Sequence, residues 1–111
     1  LRGRIKSEIN RGGLKVHPEE VDLALERHPA VAEACAFGVP DPVAGELVGA
    51  AIALSDGAAL AEADLRAWCR TQLRAEAVPH RIWTLPSLPR SDRGKLMRDA
   101  VRTAAMAKGH E

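Results

Sequence analysis

The sequence predicts a small α+β domain, with a β-hairpin and a short, mainly antiparallel sheet packed by about three helices. Three observations carry this prediction. Paired glycines separate two short extended stretches near the start of the chain, and a nearly continuous apolar run covers residues 47–54. Apolar residues recur at helical spacing after Pro18 and again over residues 61–75. A length of 111 residues corresponds to one domain, so we assign residues 1–111 to a single unit.

The first elements are a hairpin and a helix. Residues 4–17 are two extended stretches around Gly12-Gly13, and glycine pairs suit tight hairpins because they tolerate positive φ. Pro18 then opens a helix, because proline lacks only an N–H that the first helical position does not use. Pro29 ends this helix.

The remaining elements alternate between strands and helices. The pattern of residues 30–38 predicts a strand, and residues 38–42 are expected to form a turn-rich connector. The apolar run 47–54 predicts a central strand that is buried on both faces. Residues 61–75 predict a helix with an apolar face and an arginine face, and 81–85 a short strand. A last helix is expected from about Lys95 to Met106.

Composition excludes several classes of protein. The chain is 46% hydrophobic and 28% charged, with a net charge of +1, which is ordinary for a globular domain and shows no basic excess for nucleic acid. Cys35 and Cys69 form no Cys-x-x-Cys pair, so we interpret them as buried thiols. The histidines lack metal-ligand spacing, and no apolar run reaches the roughly 18 residues of a membrane span.

Four segments in a fixed order resemble one enzyme family. They are Gly3-Arg4-Ile5-Lys6 through Gly12-Gly13 to Asp22, then His28-Pro29-Ala30-Val31-Ala32-Glu33-Ala34, then Gly38-Val39-Pro40-Asp41-Pro42 with Gly45-Glu46, and finally Pro89-Arg90-Ser91-Asp92-Arg93-Gly94-Lys95-Leu96-Met97-Arg98. Each alone is weak. Together they resemble the C-terminal lid domain of the adenylate-forming superfamily, which includes AMP-forming acyl- and aryl-CoA ligases and peptide-synthetase adenylation domains. The motifs of that family's large N-terminal domain are absent from this sequence.

The resemblance implies a two-step reaction with one essential lysine. A carboxylate attacks the α-phosphate of ATP to give acyl-AMP, and the thiol of CoA or of a carrier protein then displaces AMP. Negative charge crowds between carboxylate and phosphate in the first step, so a cation placed there stabilises the transition state. By resemblance Lys95 is this catalytic cation.

Further site residues follow from the same resemblance. Arg4 is similar to the residue that contacts the nucleotide ribose, and Lys6 occupies the hinge about which the lid rotates between the two reactions. Gly12 and Gly13 match a glycine pair that lines the tunnel for the pantetheine arm, and a plain hairpin turn would use the same glycines. Residues 66, 70 and 74 are arginines for which a solvated helix face is favoured over a docking surface for a carrier protein.

The resemblance also implies cofactors and partners. We expect ATP with Mg²⁺, bound mainly by an N-terminal domain of the same enzyme, and CoA or phosphopantetheine as acceptor. A lysine acetyltransferase acting on Lys95 is a further expected partner, because acetylation would remove the charge that adenylation needs. We expect a cytoplasmic location, no metal ligands in this chain and no nucleic-acid partner.

The sequence is compatible with two function classes. The first is the lid of a ligase, which would be inactive when isolated. The second is a non-catalytic, free-standing lid module that binds a partner protein or lends Lys95 in trans. The chain begins at Leu1 without an initiator methionine, which fits a fragment.

Overall fold

The computed structural model describes residues 8–94 and 96–108. Within these ranges the chain forms five strands, three α-helices and one 3₁₀ turn. Their bounds, in chain order, are β1 Ile9–Arg11, β2 Leu14–Val16, α1 Pro18–Glu26, β3 Val31–Asp41, β4 Gly45–Leu54, α2 Glu62–Gln72, the 3₁₀ turn Ala75–Ala77, β5 Arg81–Thr84 and α3 Arg98–Lys108. This confirms the predicted α+β class and the order of its elements.

Strand β4 is the centre of the sheet. Along one edge it pairs with β3 in an antiparallel register from Val31↔Leu54 to Asp41↔Gly45. Along the other edge it meets β1 at Gly45 and then β5, which runs parallel to it. Strand β2 completes the hairpin by pairing with β1. The apolar run that predicted a buried central strand is therefore confirmed, since Val48 and residues 50–53 are buried.

Alternation along the strands divides the core between the two faces of the sheet. On one face, Ala36, Ala50 and Ile82 pack with the buried residues of α1 and α2. On the other face, side chains such as Phe37 and Trp83 pack with α3. The two rings are stacked with centroids 5.8 Å apart. Helices α1 and α2 on one face and α3 on the other explain how the alanine-rich strands are buried on both sides.

Three predicted boundaries were wrong. Residues 38–41 were expected in a connector, but β3 continues to Asp41 because β4 pairs with it residue by residue down to Gly45. The second helix ends at Gln72, because the chain turns extended at Leu73 and then forms the 3₁₀ turn. The last helix begins at Arg98 rather than near Lys95.

Candidate functional site

Three of the five predicted site residues, Arg4, Lys6 and Lys95, lie outside the described residues. The segment around Lys95 is described on both sides, and we call residues 88–97 the lysine loop. The loop connects β5 to α3. Its base is closed where Met97 N–H donates to the Pro89 carbonyl at 3.1 Å and where Arg90 and Leu96 form an antiparallel bridge.

An arginine inside the lysine loop joins it to the sheet. The Nε and Nη2 atoms of Arg90 lie 3.0 and 2.8 Å from Oε2 of Glu33, near the start of β3. The Nη1 atom of the same guanidinium donates to the Gly94 carbonyl at 2.5 Å. The second carboxylate oxygen of Glu33 accepts the Leu88 N–H at 3.3 Å. Gly94 has φ +81°, a conformation that favours glycine.

The start of α3 is held by a second arginine. Arg98 Nη1 lies 3.2 Å from Asp22 Oδ2 on α1 and donates to the Ala36 carbonyl at 2.7 Å. Asp22 also accepts the Ala36 N–H at 2.6 Å. Burial raises the pKa of Asp22 to about 6, although Arg98 and the Ala36 N–H act in the opposite direction. These partners could not be predicted from the sequence, since 76 residues separate Asp22 from Arg98.

The two glycines of the hairpin, Gly12 and Gly13, form the turn between β1 and β2. Their φ angles are +57° and +89°, so both need the left-handed region. Gly12 N–H donates to the Ala44 carbonyl at 2.6 Å, and Gly13 N–H donates to Asn10 Oδ1 at 3.1 Å. A Cβ added to either glycine would meet nothing within 4 Å. The turn is therefore held by hydrogen bonds from its two main-chain N–H groups, and its outer side is exposed.

A pocket of about 310 Å³ with a basic lining lies beside the hairpin. Arg11 of β1 and Arg66 and Arg70 of α2 line it, together with His80. Among the described residues, no carboxylate lies within ion-pair distance of these three arginines. Burial, with the neighbouring Arg11 cation, lowers the pKa of His80. The pocket thus concentrates unneutralised positive charge that attracts an anion.

The arginine face expected on the second helix needs a correction. Arg74 follows α2, and its guanidinium forms salt bridges with Glu20 at 3.0 Å and with Glu76 at 2.9 Å. It also donates to the Lys15 carbonyl at 3.0 Å, which ties the hairpin to the segment after α2. Arg66 is half-buried and donates to the His80 carbonyl. Of the three residues, only Arg70 is an exposed arginine on the helix for which the described residues supply no partner.

The lysine loop and the hairpin lie at opposite ends of the β3–β4 pair. The loop is bonded to Glu33, whose strand partner is Ala53, and the hairpin is bonded at the turn that follows Asp41. Eight residues of strand separate Glu33 from Asp41, which corresponds to about 26 Å. The two segments are therefore anchored far apart on the β3–β4 pair.

The described residues offer no other chemical centre. No group of three or more His, Cys, Asp or Glu side chains among residues 8–94 and 96–108 could hold a metal ion. Both cysteines are free and buried, and burial raises the pKa of each thiol to about 11. In the same part of the chain, no helix has the length and apolar character needed to cross a bilayer.

Comparison with known proteins gives the family. Residues 20–95 match the model of the AMP-binding enzyme C-terminal domain. An oxalate–CoA ligase of Arabidopsis thaliana is 44% identical over 91% of this chain, which covers 20% of that protein. The acyl-CoA synthetase of Brucella canis superposes with a TM-score of 0.85 at 35% identity, over 96% of this chain and 20% of that one. The amide bond synthetase McbA of Marinactinospora thermotolerans also reaches 0.85, at 36% identity over 94% of this chain and 21% of that one.

These matches identify the class of protein. The chain belongs to the C-terminal domain family of the AMP-binding, adenylate-forming enzymes, as the resemblance predicted. It spans about a fifth of the length of the relatives it matches.

Proposed function

We propose that residues 1–111 are the mobile C-terminal domain of an ATP-dependent, AMP-forming ligase that converts a carboxylic acid to its thioester. The observation that carries this proposal is the separation of the lysine loop from the glycine hairpin by the length of the β3–β4 pair. Two functional segments anchored near opposite ends of one sheet suit an enzyme that presents them to one centre in turn. Rotation at Lys6 would exchange them, since a hinge concentrates its dihedral change in a few residues.

In the first half-reaction the lysine loop would face the N-terminal domain. Lys95 places an ammonium between the attacking carboxylate and the α-phosphate of ATP, and Arg4 contacts the ribose. Negative charge crowds between the attacking carboxylate and the α-phosphate as the new bond forms, and it builds on the bridging oxygen as pyrophosphate leaves, so the cation stabilises the transition state more than the ground state. Mg²⁺ accompanies ATP and is held by the N-terminal domain.

In the second half-reaction the hairpin would take the place of the lysine loop. Gly12 and Gly13 would line the tunnel for the pantetheine arm, because the outer side of the turn carries no side chain. The basic pocket supports CoA as the acceptor. Arg11, Arg66 and Arg70 converge on a cavity beside the hairpin, and the phosphates of a CoA nucleotide supply the negative charge that it lacks. A carrier protein would instead need a broad contact surface.

Two further proposals concern the setting of the enzyme. We place it in the cytoplasm, where ATP and CoA are available and where buried free thiols such as Cys35 and Cys69 persist. Acetylation of Lys95 would remove the charge needed for the first half-reaction and stop adenylation. Incubation with a lysine acetyltransferase and acetyl-CoA tests this, and an unmodified Lys95 by mass spectrometry contradicts it.

The test of the proposed function is an assay of the complete gene product. Its intact mass establishes whether an N-terminal domain is present. ATP–pyrophosphate exchange is then measured over a panel of carboxylic acids, followed by product formation with CoA, a carrier protein or an amine. Exchange together with an acyl-CoA product supports the proposal, and an amide without a thioester contradicts the thiol acceptor. If the product is this short chain alone and shows neither reaction, the non-catalytic lid module takes its place.

A further inference from the structure

The ion pair between Glu33 and Arg90 contributes little to the stability of the fold. The side chains of Arg90 and Glu33 are 40% and 27% exposed, and a pair in such a position adds little to the free energy of folding. Its geometry is nevertheless specific. The Nε and Nη2 atoms on one side of the guanidinium reach one oxygen of Glu33, and the third nitrogen, Nη1, donates to the Gly94 carbonyl.

The pair joins the two limbs of the lysine loop to the same strand. Glu33 accepts the Leu88 N–H at the entry of the loop through one oxygen. Through the other oxygen it orients Arg90, which binds the carbonyl of Gly94 at the exit. Gly94 directly precedes Lys95, and Leu96, which directly follows it, forms the bridge with Arg90. The residue before Lys95 is therefore bound by the Arg90 side chain, and the residue after it is paired with the Arg90 main chain.

We propose that Arg90 is a positioning residue for Lys95, and that Glu33 orients Arg90 for this role. The proposal rests on the proposed function, since it needs Lys95 to act in adenylation. The planar guanidinium spans the carboxylate and the carbonyl at once, which the single ammonium of a lysine does poorly. In the second half-reaction Lys95 is withdrawn, so the Glu33–Arg90 pair has no part in thioester formation from acyl-AMP.

The first experiment compares Arg90→Met, Arg90→Lys and Lys95→Ala in the complete gene product. Displacing a reacting group by about 1 Å lowers a rate by as much as 100-fold, so we expect Arg90→Met to lower kcat for ATP–pyrophosphate exchange roughly 10- to 100-fold. Arg90→Lys should lose nearly as much. The KM for ATP should change less than kcat, because Lys95 acts on the transition state. Thioester formation from supplied acyl-AMP should stay within about twofold of the wild-type rate.

A double variant separates positioning from a merely structural role. If Arg90 acts through Lys95, Arg90→Met combined with Lys95→Ala exchanges pyrophosphate no more slowly than Lys95→Ala alone. A structural role would make the two losses multiply, and that result overturns the inference. Glu33→Gln keeps the shape of the side chain and removes its charge, so it should give a smaller loss in the same direction. It also serves as the second variant if Arg90→Met does not fold.

The control is Arg27→Met, which removes an exposed arginine at the end of α1 and should leave both half-reactions unchanged. If Lys95→Ala lowers exchange while the Arg90 and Glu33 variants do not, the inference is wrong and the proposed function stands. If Lys95→Ala itself leaves exchange intact, the role of Lys95 fails and the inference fails with it.

Discussion

Arg98 and Asp22 join the start of α3 to the middle of α1, and both bind Ala36 in the middle of β3. The guanidinium lies 3.2 Å from the carboxylate, and both groups also bind the main chain of Ala36. The Asp22 side chain is only 13% exposed, so neither charge is fully solvated. Three elements from distant parts of the sequence thus meet three residues after Lys95.

Removal of Arg98 should destabilise the domain. Arg98→Met leaves the Asp22 carboxylate with the Ala36 N–H but without its cation, and loss of a charge-assisted hydrogen bond in this part-buried pair costs about 2 kcal/mol. Chemical denaturation of wild type and variant measures the change in the free energy of unfolding. Arg27→Met, an exposed arginine, should change it by less than about 0.5 kcal/mol. Equal losses for the two variants would show that the pair contributes nothing specific.

Asp22 should make stability depend on pH in the acid range. Its pKa is about 6 in the folded domain, above the ordinary value of 3.8, so the folded state holds the proton more tightly than the unfolded chain. This contribution to stability is fully present below pH 4 and is lost as the pH rises through 6. Relative to Asp22→Asn, the free energy of unfolding of the wild type should fall by about 2 kcal/mol between pH 4 and pH 7. If the free energies of unfolding of the two proteins change in parallel with pH, the raised pKa of Asp22 is contradicted.

Alanine at the hairpin should impair thioester formation more than adenylation. Gly13→Ala places a Cβ in open space at φ +89°, which costs about 1 kcal/mol of stability through backbone strain. Any further loss of rate then reflects narrowing of the proposed tunnel. The matched control is Gly57→Ala, because Gly57 has φ +76° and equally open surroundings in the turn after β4. The tunnel proposal fails if both variants form thioester from supplied acyl-AMP at the same rate.

The basic pocket should set the affinity for CoA. Arg70→Met removes an exposed cation from the pocket, and a lost charge-assisted contact of about 1.5 kcal/mol raises the KM for CoA roughly tenfold. Pantetheine lacks the nucleotide and its phosphates, so its KM should not change. Salt should weaken CoA binding in the wild type more than in the variant. An unchanged KM for CoA would direct attention to a carrier protein or to another surface.

Much of the fold could be predicted because local patterns determine it. The glycine pair, Pro18 and the apolar run of β4 each specify an element through rules that act over a few residues. The extension of β3 to Asp41 was missed because Pro40 and Asp41 favour turns locally, whereas pairing with Glu46 and Gly45 keeps them in the sheet. Tertiary pairing here overrides a local preference.

The candidate site could likewise be predicted only where local motifs specify it. Motif order pointed to Gly12 and Gly13, which form the expected turn. The roles of Arg90 and Arg98 could not be predicted, because their carboxylate partners lie 57 and 76 residues earlier in the chain. The basic pocket was missed for a related reason, since Arg11 and His80 join the α2 arginines only after β1 and β5 flank β4.

The central claim is that this domain supplies a lysine to the first half-reaction and a glycine turn to the second. The most direct test measures both half-reactions separately in the complete enzyme with Lys95→Ala. We predict that ATP–pyrophosphate exchange falls by about two orders of magnitude or more, while thioester formation from supplied acyl-AMP continues near the wild-type rate. Equal loss in both half-reactions, or unchanged exchange, would contradict the account.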